Sequence, residues 1–569
     1  MTATHTPTWN PPGPGSWRSE RSHGGPGVTR LYARIVGTHT EPTYRQVFAD
    51  FGGAVGSLDM QVVNGALYRR IVPLVGADKD TGKMPPAPVL WLATRLHPEF
   101  RRRERTARRV LAESSALDQV TAWFAGERDQ WQEANRRIQA VDPTTLDDLA
   151  LADHLEHLDA HVVRGWCRHH QLHGSDLGPI GDLLAHAAGW GLDPVAVMGL
   201  LKGASPATVD AARHGATIAA ALRAGGVDPA TVTSFDQIRS VGPAADALDA
   251  YLDEFGWRVV SGYDIDSLTL HELPGAVCTL IRRAATDPTD PTDPAGEAVA
   301  GEGRPPDDHG PAAAELRAAS GNPALFDELL ASARQAYGLR DDNGPLTWEW
   351  PIGLTRRAYL AAGERLATRG RLDGPADVFE LDLPELAAVL RGDASPTAAD
   401  VAARAEERRW QATLEPPEYL GAPMAKPDVR PLPPASRRMM ETIIAATSLL
   451  DPDPDRPAAA LAGLGIGSRT YRGRARVADD PNRAIQEMEP GDVLVAPWTA
   501  PSYNSVLAIA GGIVVQEGGL LCHAAVMARE LDLPAVIGCT DAMTAIRSGD
   551  LVEVDPTAGT VTVVEAASS

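Results

Sequence analysis

The sequence predicts a multidomain protein: a mainly α-helical central domain followed by a C-terminal α/β domain. Three observations carry this. The 569 residues suffice for two to four domains with cores of their own. Helical periodicity runs through residues 30–440, interrupted by short polar or glycine-rich steps. From residue 460 onward the pattern changes to short apolar runs bounded by Gly and Pro with one helical stretch among them, as expected of strands alternating with a helix.

Composition narrows the function classes. Hydrophobic residues make up 44% and charged residues 22%, which reads as a soluble globular chain. The formal charge is −22 and no basic stripe interrupts it, so nucleic acid is not an expected partner, because binding it relies on Lys and Arg neutralising phosphates. Four scattered cysteines form neither a disulfide framework nor a Cys-x-x-Cys site, and a reducing cytoplasm is the expected location. The first residues lack a basic and apolar leader, and no apolar run approaches the roughly 20 residues that cross a bilayer.

In chain order, residues 1–29 are rich in Pro, Gly and Trp and predict an extended arm pinned by the rings of Trp9 and Trp17. Residues 30–440 predict a mainly helical domain. Within it, the basic cluster Arg101–Arg109 reads as a solvated helix face in preference to an anion site. His154, His157 and His161 recur at helical spacing, followed by His169, His170 and His173. His154 and His157 can share a face, but nothing completes a ligand set, and no metal is expected. His170 and His173, just before Gly174, are candidates for lining a pocket.

The composition of residues 284–312 cannot bury a core and predicts a disordered insertion. Residues 451–459 form a stiff Pro/Asp linker, from which the last domain, 460–569, is expected to swing.

In that last domain an apolar strand, Gly512 to Gln516, leads through Gly518-Gly519 to Cys522, then a helical run from His523 to Leu531, then a second strand after Pro534. His523 is thereby placed at a helix N-terminus. Unpaired backbone N–H groups and the positive end of the helix dipole favour an anion there, and the glycine pair allows close approach of a phosphate. A structural histidine in an ordinary strand–glycine–helix turn would show the same local pattern.

The block Gly518-Gly519-Leu520-Leu521-Cys522-His523-Ala524, with Ala528-Arg529-Glu530 after it, resembles the phosphohistidine signature of the phosphoenolpyruvate-utilising enzyme family. Gly491-Asp492-Val493-Leu494-Val495, Pro497-Trp498-Thr499 and Gly549-Asp550-Leu551-Val552-Glu553-Val554-Asp555 extend the resemblance to that family's swivelling domain. It implies that His523 is transiently phosphorylated, that Gly518, Gly519 and Cys522 shape its surroundings and that Arg529 contacts phosphate.

Further upstream, Gly256-Trp257-Arg258 with Asp264 and Asp266, and Arg340-Asp341-Asp342 with Arg356-Arg357 and Asp377-Val378-Phe379, look like the substrate domain of rifamycin phosphotransferases. Trp257 stands where the related pattern usually has a histidine, so that histidine's role does not transfer. Arg258 suits either a phosphate or carboxylate contact or an ion pair with Asp253 or Glu254. Arg340, Arg356 and Arg357 are the candidate anion clamp, with surface pairing to Asp341, Asp342 or Glu364 as the alternative.

Neither a Gly-x-x-x-x-Gly-Lys-Ser/Thr loop nor a resemblance to an ATP-grasp domain is found in the sequence. The layout resembles a rifamycin phosphotransferase lacking its ATP-grasp domain, and the large subunit of phenylphosphate synthase. This implies a phosphotransferase of dikinase type, with ATP and Mg2+ bound by a separate ATP-grasp-type partner. The implied acceptor is a small hydroxylated compound, aromatic if Trp257, Tyr263, Trp348 and Trp350 line its pocket. His170, His173, Asp341 and Glu254 are all eligible as general base. The alternative is a non-catalytic phosphocarrier or regulatory protein whose central region docks a protein partner.

Overall fold

The computed structural model describes residues 7–567 except 22–23, 81–84, 206, 261, 287–309, 424–426, 449–460, 480–482, 485–486, 500–502, 508 and 521. The core of the expected insertion and the whole 451–459 linker lie outside the described residues. Residues 284–286 end one helix and 310–312 begin another.

The chain divides into two compact units. The first comprises residues 1–178, 263–267 and 343–441; the second comprises 179–262, 268–342 and 442–569. Residues 30–440, expected as one helical domain, are thus shared between the two. The reason is that helices of residues 207–286 close a core of their own around Ile218, Leu222, Leu248, Leu252, Val277 and Ile281.

In the first unit, strand β1 (Trp17–Ser19) precedes helix α1 (Arg30–Phe51). Thr29 caps α1 by accepting the Tyr32 N–H, and Asp264 in turn accepts from the Thr29 N–H and hydroxyl at 2.7 and 2.6 Å. The helix stops at Gly52, whose φ of 75° is left-handed. A Cβ there would also lie 2.3 Å from the Ala107 nitrogen, so the position needs glycine twice over.

Next comes a hairpin, β2 (Ser57–Val63) and β3 (Ala66–Val72), in a stretch whose periodicity suggests helix. Asn64 and Gly65, with φ of 48° and 77°, make the tight turn whose twist matches the paired strands. The hairpin joins β1 and β4 (Tyr419–Leu420) in a four-stranded sheet of order β2-β3-β1-β4. The arm is therefore tied down through strand pairing as well as rings: Trp17 is 1% exposed against Ala66, Tyr68 and Leu420, with Trp9 packed alongside.

Helix α2 (Pro98–Glu113) exposes Arg101, Arg102, Arg105, Arg108 and Arg109 but buries Arg103 and Glu104. Helix α3 (Asp148–Gln171) starts on the Asp147 cap and buries Leu151, Leu155, Leu158, Val162 and Trp166, one stripe at helical spacing. Trp166 meets Tyr32 and Trp348 edge-on, at ring centroids 5.9 and 4.8 Å apart.

The second unit holds α4 (Ala207–Ala224), α5 (Gly242–Phe255), α6 (Pro274–Thr286) and α7 (Pro323–Gly344), the last of which runs on into the first unit by two residues. It also holds the C-terminal sheet: β5 (Leu464–Ile466), β6 (Tyr471–Val477), β7 (Val493–Ala496), β8 (Gly512–Val515), β9 (Ala535–Ile537), β10 (Leu551–Asp555) and β11 (Thr560–Glu565). Their order is β11-β10-β6-β7-β8-β9-β5. Strands β6 to β9 are parallel, whereas β10, β11 and β5 pair antiparallel at the margins. The central β7, β8 and β9 are buried at every residue, as parallel strands covered on both faces require. Between β8 and β9 lies helix α8 (His523–Glu530).

Candidate functional site

His523 is the first residue of α8. Cys522, with φ −64° and ψ 157°, occupies the cap position. The turn before it needs its glycine: Gly518 has a φ of +123°, and a Cβ there would lie 2.7 Å from the Cys522 sulfur. Arg529 closes the turn from the far side: it is buried, and its Nη2 donates to the Leu520 carbonyl at 2.7 Å. The expected phosphate contact is thereby a brace of the glycine turn, its guanidinium facing the buried phenol of Tyr337, whose acidity burial lowers and Arg529 partly restores.

The ring of His523 is enclosed but keeps partial exposure. Burial pushes its pKa down to about 3, so the imidazole is neutral at pH 7. Its Nδ1 lies 3.1 Å from the Thr499 hydroxyl, which follows β7. Thr499 is flanking context in the sequence; its pairing with His523 arises because β7 and β8 are adjacent parallel strands, which periodicity alone does not show. Burial raises the Cys522 thiol, opposed in part by the Ala525 and Ala524 amides of the first turn, so the sulfur is a neutral thiol beside the ring.

The C-terminal end of α8 touches the helical part of the same unit. The Glu530 carboxylate accepts the Gly203 N–H at 3.2 Å, and Lys202 lies 3.7 Å from Asp532. Glu530 is raised above its ordinary value by burial and by Asp341, with Arg529 and Lys202 acting against them. Asp341, a candidate general base, is therefore part of the surroundings of Glu530.

The remaining candidates separate. Arg258 and Arg340 belong to the second unit, with His523; Arg356, Arg357, His170 and His173 belong to the first. Arg258 lies over the Phe255 ring at 4.4 Å. Arg356 is buried, donates to the Ile265 carbonyl at 3.1 Å and sits over Phe379. Arg357 donates to the Gln139 carbonyl at 2.9 Å and pairs with Asp142 at 3.5 Å. Both arginines are occupied in tying loops to a helix, and an anion clamp of Arg340, Arg356 and Arg357 within one unit is not formed.

Trp348 and Trp350 are likewise core residues, 2% and 1% exposed, with indole N–H groups donating to the Tyr263 carbonyl and Gln139. Trp257 packs on His271 at 4.2 Å, and Glu254 lies 3.7 Å from His214. His170 and His173 do come together, with ring centroids 5.4 Å apart.

The C-terminal sheet thus holds a neutral histidine at the start of a helix, behind a glycine turn. Residues 488–559 match the model of the PEP-utilising enzyme mobile domain, and residues 207–341 match that of the rifampicin phosphotransferase fourth domain. Among curated relatives, a rifampicin phosphotransferase of Streptomyces sviceus is 30% identical over 332 residues, 56% of this chain and 34% of that protein. Another, of a Streptomyces species, is 43% identical over 105 residues, 18% of this chain and 12% of the relative. The phosphoenolpyruvate synthase of Escherichia coli is 42% identical over 92 residues, 16% and 12% of the two chains. The chain thus spans about a third of the first relative's length and less of the others. Among the described residues no helix is long and apolar enough to cross a membrane.

Proposed function

We propose that this chain is a phosphotransferase component in which His523 carries a phosphoryl group from a nucleotide-binding partner to a small hydroxylated acceptor. The observation that carries the reading is the neutral imidazole at the N-terminus of α8, held by Thr499, in a segment matching the PEP-utilising enzyme mobile domain. Phosphoryl transfer needs an in-line nucleophile and a charge-stabilising cradle. With Thr499 accepting from Nδ1–H, Nε2 holds the lone pair, attacks the donor phosphorus and displaces the remaining nucleotide or phosphate. The phosphoryl group then rests against the amides of the first helical turn. In the second half-reaction the acceptor oxygen attacks that phosphorus, its proton leaves to a base, and the imidazole returns neutral.

The donor site, with ATP and Mg2+, is proposed to be supplied by an ATP-grasp-type partner. Travel between donor and acceptor is supported by the contact just beyond α8, where half-exposed Lys202 meets exposed Asp532 and their pairing is weak. The test is to charge the protein with labelled ATP and candidate ATP-grasp-type partners, then add alcohols and phenols. Acid-labile, alkali-stable label that forms on the chain and is discharged onto an acceptor supports the reading; label that forms but is discharged only to another protein supports the phosphocarrier alternative.

A further inference from the structure

His169, His170 and His173 all belong to the first unit. They stand at the end of α3 and the start of the short helix His173–Asp176. Leu172, between them, keeps helical angles of φ −72° and ψ −18°, so His173 follows His169 by four residues and His170 by three on a continuous helical path. Such spacings place side chains on one flank. One nitrogen from each ring consequently lies within 4.8 Å of the other two. Among the described residues this is the group of histidine, cysteine and carboxylate side chains so gathered.

The hydrogen bonds around two of the rings define their tautomers. The Trp166 carbonyl only accepts, so His170 donates Nδ1–H to it at 2.8 Å and holds its lone pair on Nε2. The Asp176 carboxylate, 1% exposed, accepts Nδ1–H of His173 at 3.2 Å, which leaves that lone pair on Nε2 as well. Asp176 is itself positioned by Asn343, which donates to it at 3.4 Å and to the His169 carbonyl at 2.9 Å. An imidazole whose second N–H is committed to a carbonyl or carboxylate is the arrangement that orients histidine toward a metal. His169 and His173 are half-buried, which gives a hydrated ion a way in.

We propose that these three imidazoles bind one first-row transition cation, Zn2+ foremost, with a fourth position left to water or an oxygen ligand. Neutral nitrogen donors suit such ions and not Mg2+ or Ca2+, which require oxygen ligands. Tetrahedral coordination with bonds of about 2.0–2.1 Å sets nitrogens about 3.4 Å apart. Loading therefore draws the rings inward, a change that ring rotation of the half-buried His169 and His173 supplies. The gathering of His169, His170 and His173 is not apparent from spacing because its members straddle a helix junction.

The site lies in the first unit and its loading does not depend on phosphorylation of His523. The test uses the full chain, stripped with a chelator and titrated with Co2+, whose visible d–d absorption reports coordination, then displaced by Zn2+. One equivalent with a tetrahedral-type spectrum is expected, lost in His169→Ala and in His173→Ala and retained in His157→Ala. Asp176→Asn should weaken binding by about 10- to 100-fold. Thermal melts with and without Zn2+ check folding: wild type and His157→Ala should gain stability with the ion, and His169→Ala should melt cooperatively without gaining. No Co2+ spectrum in the wild type, or the same spectrum and affinity in folded His169→Ala, overturns the proposal.

Discussion

Two histidines of this molecule, His161 and His523, are both driven by burial to a pKa of about 3, yet their surroundings fit them for different work. His161 is 2% exposed and commits both nitrogens inside the first unit. Arg164, which can only donate, gives Nδ1 a hydrogen bond at 2.6 Å, so Nε2–H must donate to Asn135 at 2.7 Å. That lone pair is used up. His523 instead opens a helix, keeps partial exposure and meets the Thr499 hydroxyl. A depressed imidazole pKa therefore marks a neutral ring in both, and what distinguishes them is position: His161 lies inside a core, His523 at the start of a helix.

Replacing each of the two side chains with alanine has the largest expected effect. His523→Ala is expected to reduce phosphoryl incorporation to background with the fold intact, read by labelling and circular dichroism. His161→Ala should still be labelled but lose about 3 kcal/mol of stability in denaturant unfolding, because a buried cavity forms and the buried Asn135 loses its partner.

Acid sharpens the contrast further. Below an ordinary imidazole pKa of about 6.5 the unfolded chain takes up a proton that folded His161 refuses, so its contribution is complete above that value and is lost as pH falls toward about 3. Stability should decline between pH 7 and pH 5, less steeply in His161→Gln. The labelling rate of His523 should stay flat over the same range, since its ring remains neutral. Thr499→Val should slow labelling roughly fivefold, the value of a hydrogen bond of about 1 kcal/mol. Lys202→Ala, which removes an exposed pairing with Asp532, should change stability by no more than about 0.5 kcal/mol and leave labelling unaltered.

The placement of His523 was legible because every signal needed for it is local: a glycine pair, an apolar strand before it, a helical run after it. The hairpin at residues 57–72 was equally legible from Asn64-Gly65 between alternating residues, but helical periodicity on either side outweighed it. Arg356 and Arg357 could not be read, because a guanidinium that ties down a carbonyl and one that awaits an anion are identical in sequence. The approach of Thr499 to His523 depends on which strands are neighbours, a long-range fact. The gathering of His169, His170 and His173 depends on helical geometry persisting through Leu172.

The most direct measurement is site localisation of the phosphoryl group. The full chain, charged with ATP and an ATP-grasp-type partner and digested under alkaline conditions, should yield one acid-labile phosphopeptide, containing His523, absent from His523→Ala and present in His161→Ala. Phosphate found on another residue, or equal labelling of His523→Ala, would contradict the account.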